Sequence, residues 1–96
     1  MVEKIKSDDT DRLVRAFMLL ENADEYYKFF DDLCTVAEIK EMSKRLKAAK
    51  MLKDGIVYSE ISELTGLSTT TISRVNKCLK YGSDGYSLVL ERLEQQ

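Results

Sequence analysis

The stretch YSEISELTGLSTTTISRVNKCLK, from Tyr58 to Lys80, decides how the rest of the chain is interpreted. It predicts a short helix, a sharp turn at Gly66 and a second helix that opens at Ser68. Glycine takes the left-handed conformation at a helix end without steric cost, and a serine hydroxyl accepts hydrogen bonds from the free amides of the next turn. The pattern therefore predicts a helix-turn-helix unit over residues 58–80.

Each helix of this unit is expected to have a buried side. In the first, Ile61 and Leu64 lie three apart and face one way, and Leu67 is expected to fill the angle between the helices. At about 100° per residue, the buried side of the second helix is centred on Ile72. Its other expected members are Ser68, Val75 and Leu79, with Cys78 at the margin.

The opposite side of the second helix carries short hydroxyls near its start and cations further along. Hydroxyls and helix-start amides can bind phosphate oxygens, cations neutralise phosphate charge, and short hydroxyls can also reach base edges. This surface is therefore suited to DNA. The candidate DNA-binding residues are Ser68, Thr69, Thr70, Ser73, Arg74, Lys77 and Lys80.

Charge is distributed unevenly along the 96 residues. The net charge of −2 would by itself argue against a nucleic-acid partner. Residues 1–39, however, carry 5 cations and 10 anions, whereas residues 40–80 carry 9 cations and 4 anions. Positive charge is thus concentrated in the segment that contains the proposed recognition helix, which favours double-stranded DNA as a partner.

The remaining sequence predicts one all-α domain over residues 1–96, because there is no proline and apolar residues recur at three- and four-residue spacing. Further helices are predicted at residues 10–21, 24–34, 36–53 and 86–93, after a polar lead-in over residues 1–9. Thr35 and Glu38 have the spacing of a capping box, and Gly55 is a candidate to end the third helix. The aromatic second helix fits a core helix and a dimer interface equally well.

Several kinds of chemistry are excluded by composition. There is no histidine, and Cys34 and Cys78 are too few to hold structural zinc, so neither metal nor cofactor is expected. Both cysteines are predicted to be free, buried thiols, with a disulfide or a redox-sensing role for Cys78 as the alternative. The sequence has no phosphate-binding loop and no arrangement of residues typical of a catalytic site, so an enzyme is not expected. No apolar run approaches the roughly 20 residues of a membrane span, and no signal-peptide pattern is present, so a cytoplasmic location is expected.

From about Leu33 to Lys80 the chain resembles the Trp repressor-like family of helix-turn-helix transcriptional regulators, and within it the short branch with no agreed ligand. The matching features are Leu-x-Thr-x-x-Glu at residues 33–38, Lys-Arg at 44–45, Gly55, Leu-Thr-Gly at 64–66, Thr-Thr-Ile-Ser-Arg at 70–74 and Leu-Lys at 79–80. The resemblance implies a six-helix subunit, an intertwined homodimer and two recognition helices presented to successive major grooves.

The function implied by the resemblance is sequence-specific DNA binding. The chain is expected to be a transcriptional regulator, specifically a repressor, that acts as a homodimer on a palindromic operator. The alternative is a helix-turn-helix module that binds other proteins and has no sequence-specific contact with DNA.

An effector pocket is also implied, between the third helix and the recognition helix. Thr35, Arg45 and Arg74 match pocket positions of the tryptophan-binding members. Cys78 stands where those members have a serine that helps to hold the ligand amine, and Val75 stands where they have glycine. A valine side chain would occupy space that the indole needs, and a thiol is a weaker acceptor than a hydroxyl. No tryptophan dependence is therefore expected, and any effector is unidentified.

Overall fold

The computed structural model describes residues 2–96, and over this range all regular secondary structure is helical. A 3-10 helix at Val2–Lys4 precedes six α-helices, which confirms the predicted six-helix, all-α fold. The α-helices are α1 (Asp8–Met18), α2 (Ala23–Leu33), α3 (Val36–Lys53), α4 (Tyr58–Thr65), α5 (Thr69–Tyr81) and α6 (Gly85–Glu94).

The chain forms two compact units, one that ends at Ile39 and one from Lys40 to Gln96. That the whole chain acts as one domain stays a prediction. Over residues 2–96, no helix is long and apolar enough to cross a membrane. Within the same range, no group of three or more acidic, cysteine or histidine side chains could hold a metal ion.

In the first unit, α1 and α2 pack through aromatic rings around Phe17. The centroid of its ring lies 5.3 Å from that of Phe29 and 5.7 Å from that of Phe30. The hydroxyl of Tyr26 donates a 3.1 Å hydrogen bond to the carbonyl oxygen of Phe17. No residue of either helix is buried, however, and Tyr27 is 76% exposed. The chain by itself therefore covers this aromatic surface only in part.

The first helix starts and ends earlier than its predicted bounds of 10–21. The hydroxyl of Ser7 accepts a 3.0 Å hydrogen bond from the amide of Thr10, so Ser7 is the N-cap. Asp8, Asp9 and Asp11 then occupy the first turn, where carboxylates complement the positive end of the helix dipole. Asp8 and Asp9, which the prediction places in the polar lead-in, thus belong to the helix.

The third helix begins and ends as predicted, because the signals at both ends are local. The amide of Thr35 donates to the Glu38 carboxylate at 2.9 Å, and the amide of Glu38 donates to the Thr35 hydroxyl at 3.1 Å. These two bonds form the capping box. At the other end Gly55 has φ +81°, and the amide of Ile56 donates to the carbonyl oxygen of Met51, as in a Schellman motif.

The core of the second unit is organised around two adjacent alanines of α3. Ala48 and Ala49 are both fully buried, but they contact different clusters. Ala48 packs in a cluster with Met51, Ile61, Leu67 and Ile72. Ala49 packs with Val75 and Leu90. Helix α5 contributes to both clusters and is therefore held against α3 at two points along its length.

Candidate nucleic-acid interface

The predicted turn between α4 and α5 forms at Gly66. Gly66 has φ +77°, and its amide donates a 2.8 Å hydrogen bond to the carbonyl oxygen of Ser62. Leu67, which follows, is buried and packs into the first core cluster, as expected for the residue that fills the angle between the helices. These contacts fix where α5 starts.

The prediction that Leu64 is buried is wrong, since its side chain is 57% exposed. The buried partner of Ile61 on α4 is Thr65, four residues later instead of three. The Thr65 hydroxyl donates to the carbonyl oxygen of Ile61 at 2.7 Å and accepts from the amide of Leu67 at 3.2 Å. A buried hydroxyl with both kinds of partner can join the end of α4 to the turn.

The buried side of α5 is narrower than predicted. Ile72 and Val75 are buried and Leu79 is partly buried, but Ser68 is exposed. Ser68 is the N-cap, with an extended backbone, so the helical angle does not apply to it. Its hydroxyl accepts from the amide of Thr71 at 3.1 Å, as predicted for a cap.

The prediction of buried thiols is also wrong. Both cysteines are free, but Cys78 is exposed and Cys34 is only partly buried. Cys78 lies about 120° around the helix from Ile72, which places it beyond the edge of the buried side.

Five of the seven candidate DNA-binding residues line one open groove of about 510 Å³. The groove runs along the exposed side of α5, and Tyr58 of α4 also lines it. The five are Thr69, Thr70, Ser73, Arg74 and Lys77. The other two, Ser68 and Lys80, are exposed near the two ends of α5. The structure thus brings short hydroxyls and cations together on one surface, while their contact with DNA stays a prediction.

Tyr58 and Asn76 are not among the seven candidate DNA-binding residues. The side-chain amide of Asn76 donates a 2.9 Å hydrogen bond to the hydroxyl of Tyr58, and this bond joins α5 to α4 beside the groove. The two residues are 18 positions apart, so no helical periodicity relates them. The available signal was weaker: each is a polar residue at the border between the buried and exposed sides of its helix.

At the place of the second predicted site, the effector pocket, the structure has a small cavity of about 100 Å³. Three of the four residues predicted for the pocket line it: Arg45, Arg74 and Cys78. Its other lining residues are Glu41, Thr71, Val75 and Tyr86. Glu41 precedes Arg45 by four residues on α3, a spacing that could have indicated it. Thr35 belongs to the first unit, where its hydroxyl serves the capping box.

This cavity is small for a ligand, since small-molecule sites usually begin at about 300 Å³. Val75 takes up part of the space, because it is only 3% exposed and packs against Ala49 and Leu90. Arg74 lines both this cavity and the groove on the exposed side of α5. Any small ligand of the cavity would therefore contact a residue of the candidate DNA surface.

The family model of the Trp repressor protein matches residues 8–94 of this chain. The chain belongs to the Trp repressor family. The protein YerC of Bacillus subtilis (strain 168), itself uncharacterized, is 43% identical to this Trp repressor family member over 94 residues, which are 98% of this chain and 90% of YerC.

Two crystal structures of similar proteins share the fold. A TrpR-like protein from Eubacterium eligens has a TM-score of 0.90 and 48% identity, covering 96% of this chain and 95% of that one. A proposed Trp repressor from Staphylococcus aureus has a TM-score of 0.91 and 46% identity, covering 100% of this chain and 96% of that one. The Trp repressor family consists of helix-turn-helix DNA-binding regulators and not of enzymes, which confirms the predicted broad class.

Proposed function

We propose that this chain is a sequence-specific transcriptional repressor that binds a palindromic operator as a homodimer. The groove on α5 carries the proposal, because it collects groups that suit both parts of a DNA contact. Arg74, Lys77 and Lys80 neutralise phosphates. Ser68 and the amides at the start of α5 bind a phosphate oxygen. Thr69, Thr70 and Ser73 reach base edges in the major groove.

The way α5 is held supports the same function. Ile72 and Val75 are buried in two different core clusters, so rotation of α5 about its axis would disrupt both. The exposed side of the helix therefore has a fixed direction. Residues 40–96, which include this helix, carry 10 cations and 7 anions, whereas the whole chain has a net charge of −2. The local field favours an anionic partner.

The exposed apolar surface of α1 and α2 supports the homodimer. These helices contain no buried residue, and their exposed large apolar side chains are Leu13, Val14, Met18, Tyr26, Tyr27 and Leu33. An exposed apolar surface on a soluble protein often marks a contact with another protein. A second copy would cover it and, through two-fold symmetry, would place two α5 helices about one helical turn of DNA apart. A cytoplasmic location goes with this function.

No tryptophan effector is included in the proposal. Arg45 and Arg74 line the small cavity, but Val75 fills part of it from the core side. We propose that DNA binding by this protein is independent of tryptophan.

The experiment that tests DNA recognition is selection from a random double-stranded pool at low salt, followed by sequencing and by affinity measurements at several salt concentrations. We expect a palindrome with two half-sites about one helical turn apart, and an affinity that falls steeply as salt rises. No enriched sequence at low salt would contradict the proposal and favour the protein-interaction module.

The dimer is tested by light scattering over a range of protein concentrations. We expect the mass of a dimer at micromolar concentration and a larger dissociation constant for Tyr27→Ala. Tyr81 on α5 is similarly exposed, at 81%, so Tyr81→Ala is a matched control that should leave the dissociation constant unchanged. A monomeric mass for the unmodified chain would overturn the dimer.

A further inference from the structure

Tyr58 and Asn76 form a hydrogen-bonded pair beside the α5 groove, with 2.9 Å between the Asn76 side-chain nitrogen and the Tyr58 hydroxyl oxygen. Neither residue is among the seven candidate DNA-binding residues. Both side chains are partly buried, and Tyr58 lines the groove together with Thr70 and Arg74. Tyr58 also packs against the core cluster beneath α4 and α5. Its hydroxyl is therefore held in place from two directions.

The direction of this hydrogen bond leaves one donor unused. A phenol has one O–H hydrogen and acceptor lone pairs, and a side-chain amide nitrogen can only donate. Because the Tyr58 oxygen accepts from Asn76, its own hydrogen remains available to a second acceptor. In a groove that contains Arg74 and Lys77, the acceptor favoured by charge is an anionic oxygen.

The position of Tyr58 indicates which part of DNA supplies that oxygen. Tyr58 is the first residue of α4, whereas the groups suited to base edges lie on α5. In helix-turn-helix complexes the second helix enters the major groove and the first crosses the backbone. Tyrosine is also among the side chains that donate to phosphates. A phosphate oxygen therefore fits Tyr58 better than a base edge does.

We propose that Tyr58 donates a hydrogen bond to one DNA phosphate in each half-site and that Asn76 is the positioning residue for its hydroxyl. The proposal rests on the proposed DNA-binding function. A neutral donor releases no counterions, so the contact raises affinity without changing the dependence on salt. A phosphate contact at the start of α4 also fixes how α5 lies in the groove, because such contacts set the register of the protein on the duplex.

The first test measures affinity for the operator selected from the random pool. Tyr58→Phe keeps the ring and removes only the hydroxyl, and we expect it to raise the dissociation constant about tenfold with an unchanged salt slope. Asn76→Ala should weaken binding in the Tyr58 background and have no further effect in the Tyr58→Phe background, since Asn76 acts through that hydroxyl. Tyr81→Phe, at an exposed tyrosine of α5, is the matched control.

The second test identifies the phosphate. Single phosphates of the operator are replaced, one at a time, by uncharged methylphosphonates. At one position in each half-site the affinity difference between the unmodified chain and Tyr58→Phe should disappear, because the acceptor is gone. A purely structural role for Tyr58 would leave the same difference at every position, and this would overturn the proposal.

The two proposals fail in different ways. An operator that binds the unmodified chain and Tyr58→Phe equally well overturns the Tyr58 contact and leaves the DNA-binding function intact. Additive effects of Asn76→Ala and Tyr58→Phe overturn the positioning role of Asn76. If the unmodified chain selects no sequence, the DNA-binding function fails, and the Tyr58 contact fails with it.

Discussion

The hydroxyl of Ser62 donates a 2.7 Å hydrogen bond to the carbonyl oxygen of Leu67, across the turn that separates α4 from α5. Ser62 is partly buried and Leu67 is buried, so this carbonyl has limited access to water. The small size of this side chain suits a close crossing of the two helices. The hydroxyl does more, since it joins the body of α4 to the residue directly before the cap of α5.

Replacing this hydroxyl is expected to destabilise the fold. Ser62→Ala leaves the carbonyl of Leu67 without its partner, and we expect the free energy of unfolding to fall by about 1–2 kcal/mol in urea titrations. Ser59→Ala is the matched control on the same helix, at an exposed serine, and should change it by less than about 0.5 kcal/mol. Equal losses from the two variants would contradict a specific role for Ser62.

Gly66→Ala is expected to cost stability through backbone strain. Gly66 has φ +77°, and a Cβ there would lie 4.0 Å from the Lys44 ammonium nitrogen, which is ordinary contact. We therefore expect Gly66→Ala to lower the free energy of unfolding by roughly 1–2 kcal/mol, which is the cost of the left-handed conformation for an L-residue. The thermal midpoint should fall accordingly. Gly85→Ala, where φ is not in the left-handed region and nothing lies within 4 Å, should lower it little or raise it. A loss at Gly85 as large as at Gly66 would argue against strain.

The helix ends could be predicted where their signals are local. The capping box needs only Thr35 and Glu38 at the right spacing, and the turn needs only glycine at position 66. Burial on α4 could not be predicted in the same way. Residues three and four after Ile61 both lie near its side of the helix, and the neighbouring packing buries Thr65 and leaves Leu64 exposed.

The candidate site also has one part that could be predicted from the sequence and one part that could not. The hydroxyls and cations of α5 belong to one helix, so its 3.6-residue period was sufficient to group Thr70 with Ser73, Arg74 and Lys77. The pairing of Tyr58 with Asn76 depends on how α4 and α5 cross, and periodicity within one helix carries no such information. That this surface contacts DNA is still a prediction.

The ion pairs at the end of α6 should contribute to stability in a pH-dependent way. The Glu94 carboxylate lies 3.2 Å from the Lys53 ammonium and 3.4 Å from that of Lys50. The hydrogen bond from Lys53 has the largest effect on Glu94 and that from Lys50 the next largest, and both lower the pKa of Glu94 below 4.5. Because the folded pKa is lowered, the contribution is fully present above pH 4.5 and is lost as pH falls through the folded value. Glu94→Gln should remove this part of the acid sensitivity.

The measurement for Glu94 is an NMR titration of its side-chain carboxyl. We expect a midpoint below 4.5 that rises in Lys53→Met and in high salt, because the pairs are exposed and screened. Glu91→Gln, on the same helix, is the control and should leave the midpoint of Glu94 where it is. If neither the Lys53 substitution nor high salt changes the midpoint, the two lysines are not the cause of the lowered pKa.

Two residues of the α5 groove are expected to affect DNA binding in different ways: Lys77 should set the affinity, and Thr70 should set the sequence preference. Lys77→Ala should weaken binding to all sequences and reduce the salt slope by about one for each half-site, because a phosphate contact is lost. Thr70→Ala should change which sequence is preferred and leave the slope unchanged. Lys77 is a cleaner probe than Arg74, which also lines the small cavity. A changed preference in Lys77→Ala with an unchanged slope would reverse these assignments.

The unmodified protein is expected to give no saturable heat when titrated with L-tryptophan in a calorimeter. The cavity beside Arg45 has a volume of about 100 Å³, and Val75 limits it from a position in the core. Val75→Gly combined with Cys78→Ser removes the obstructing side chain and supplies a hydroxyl, so weak binding should appear in this double variant. Cys78→Ser alone is the control and should gain none, because the valine still fills the space. Saturable binding by the unmodified protein at micromolar tryptophan would contradict the argument from Val75.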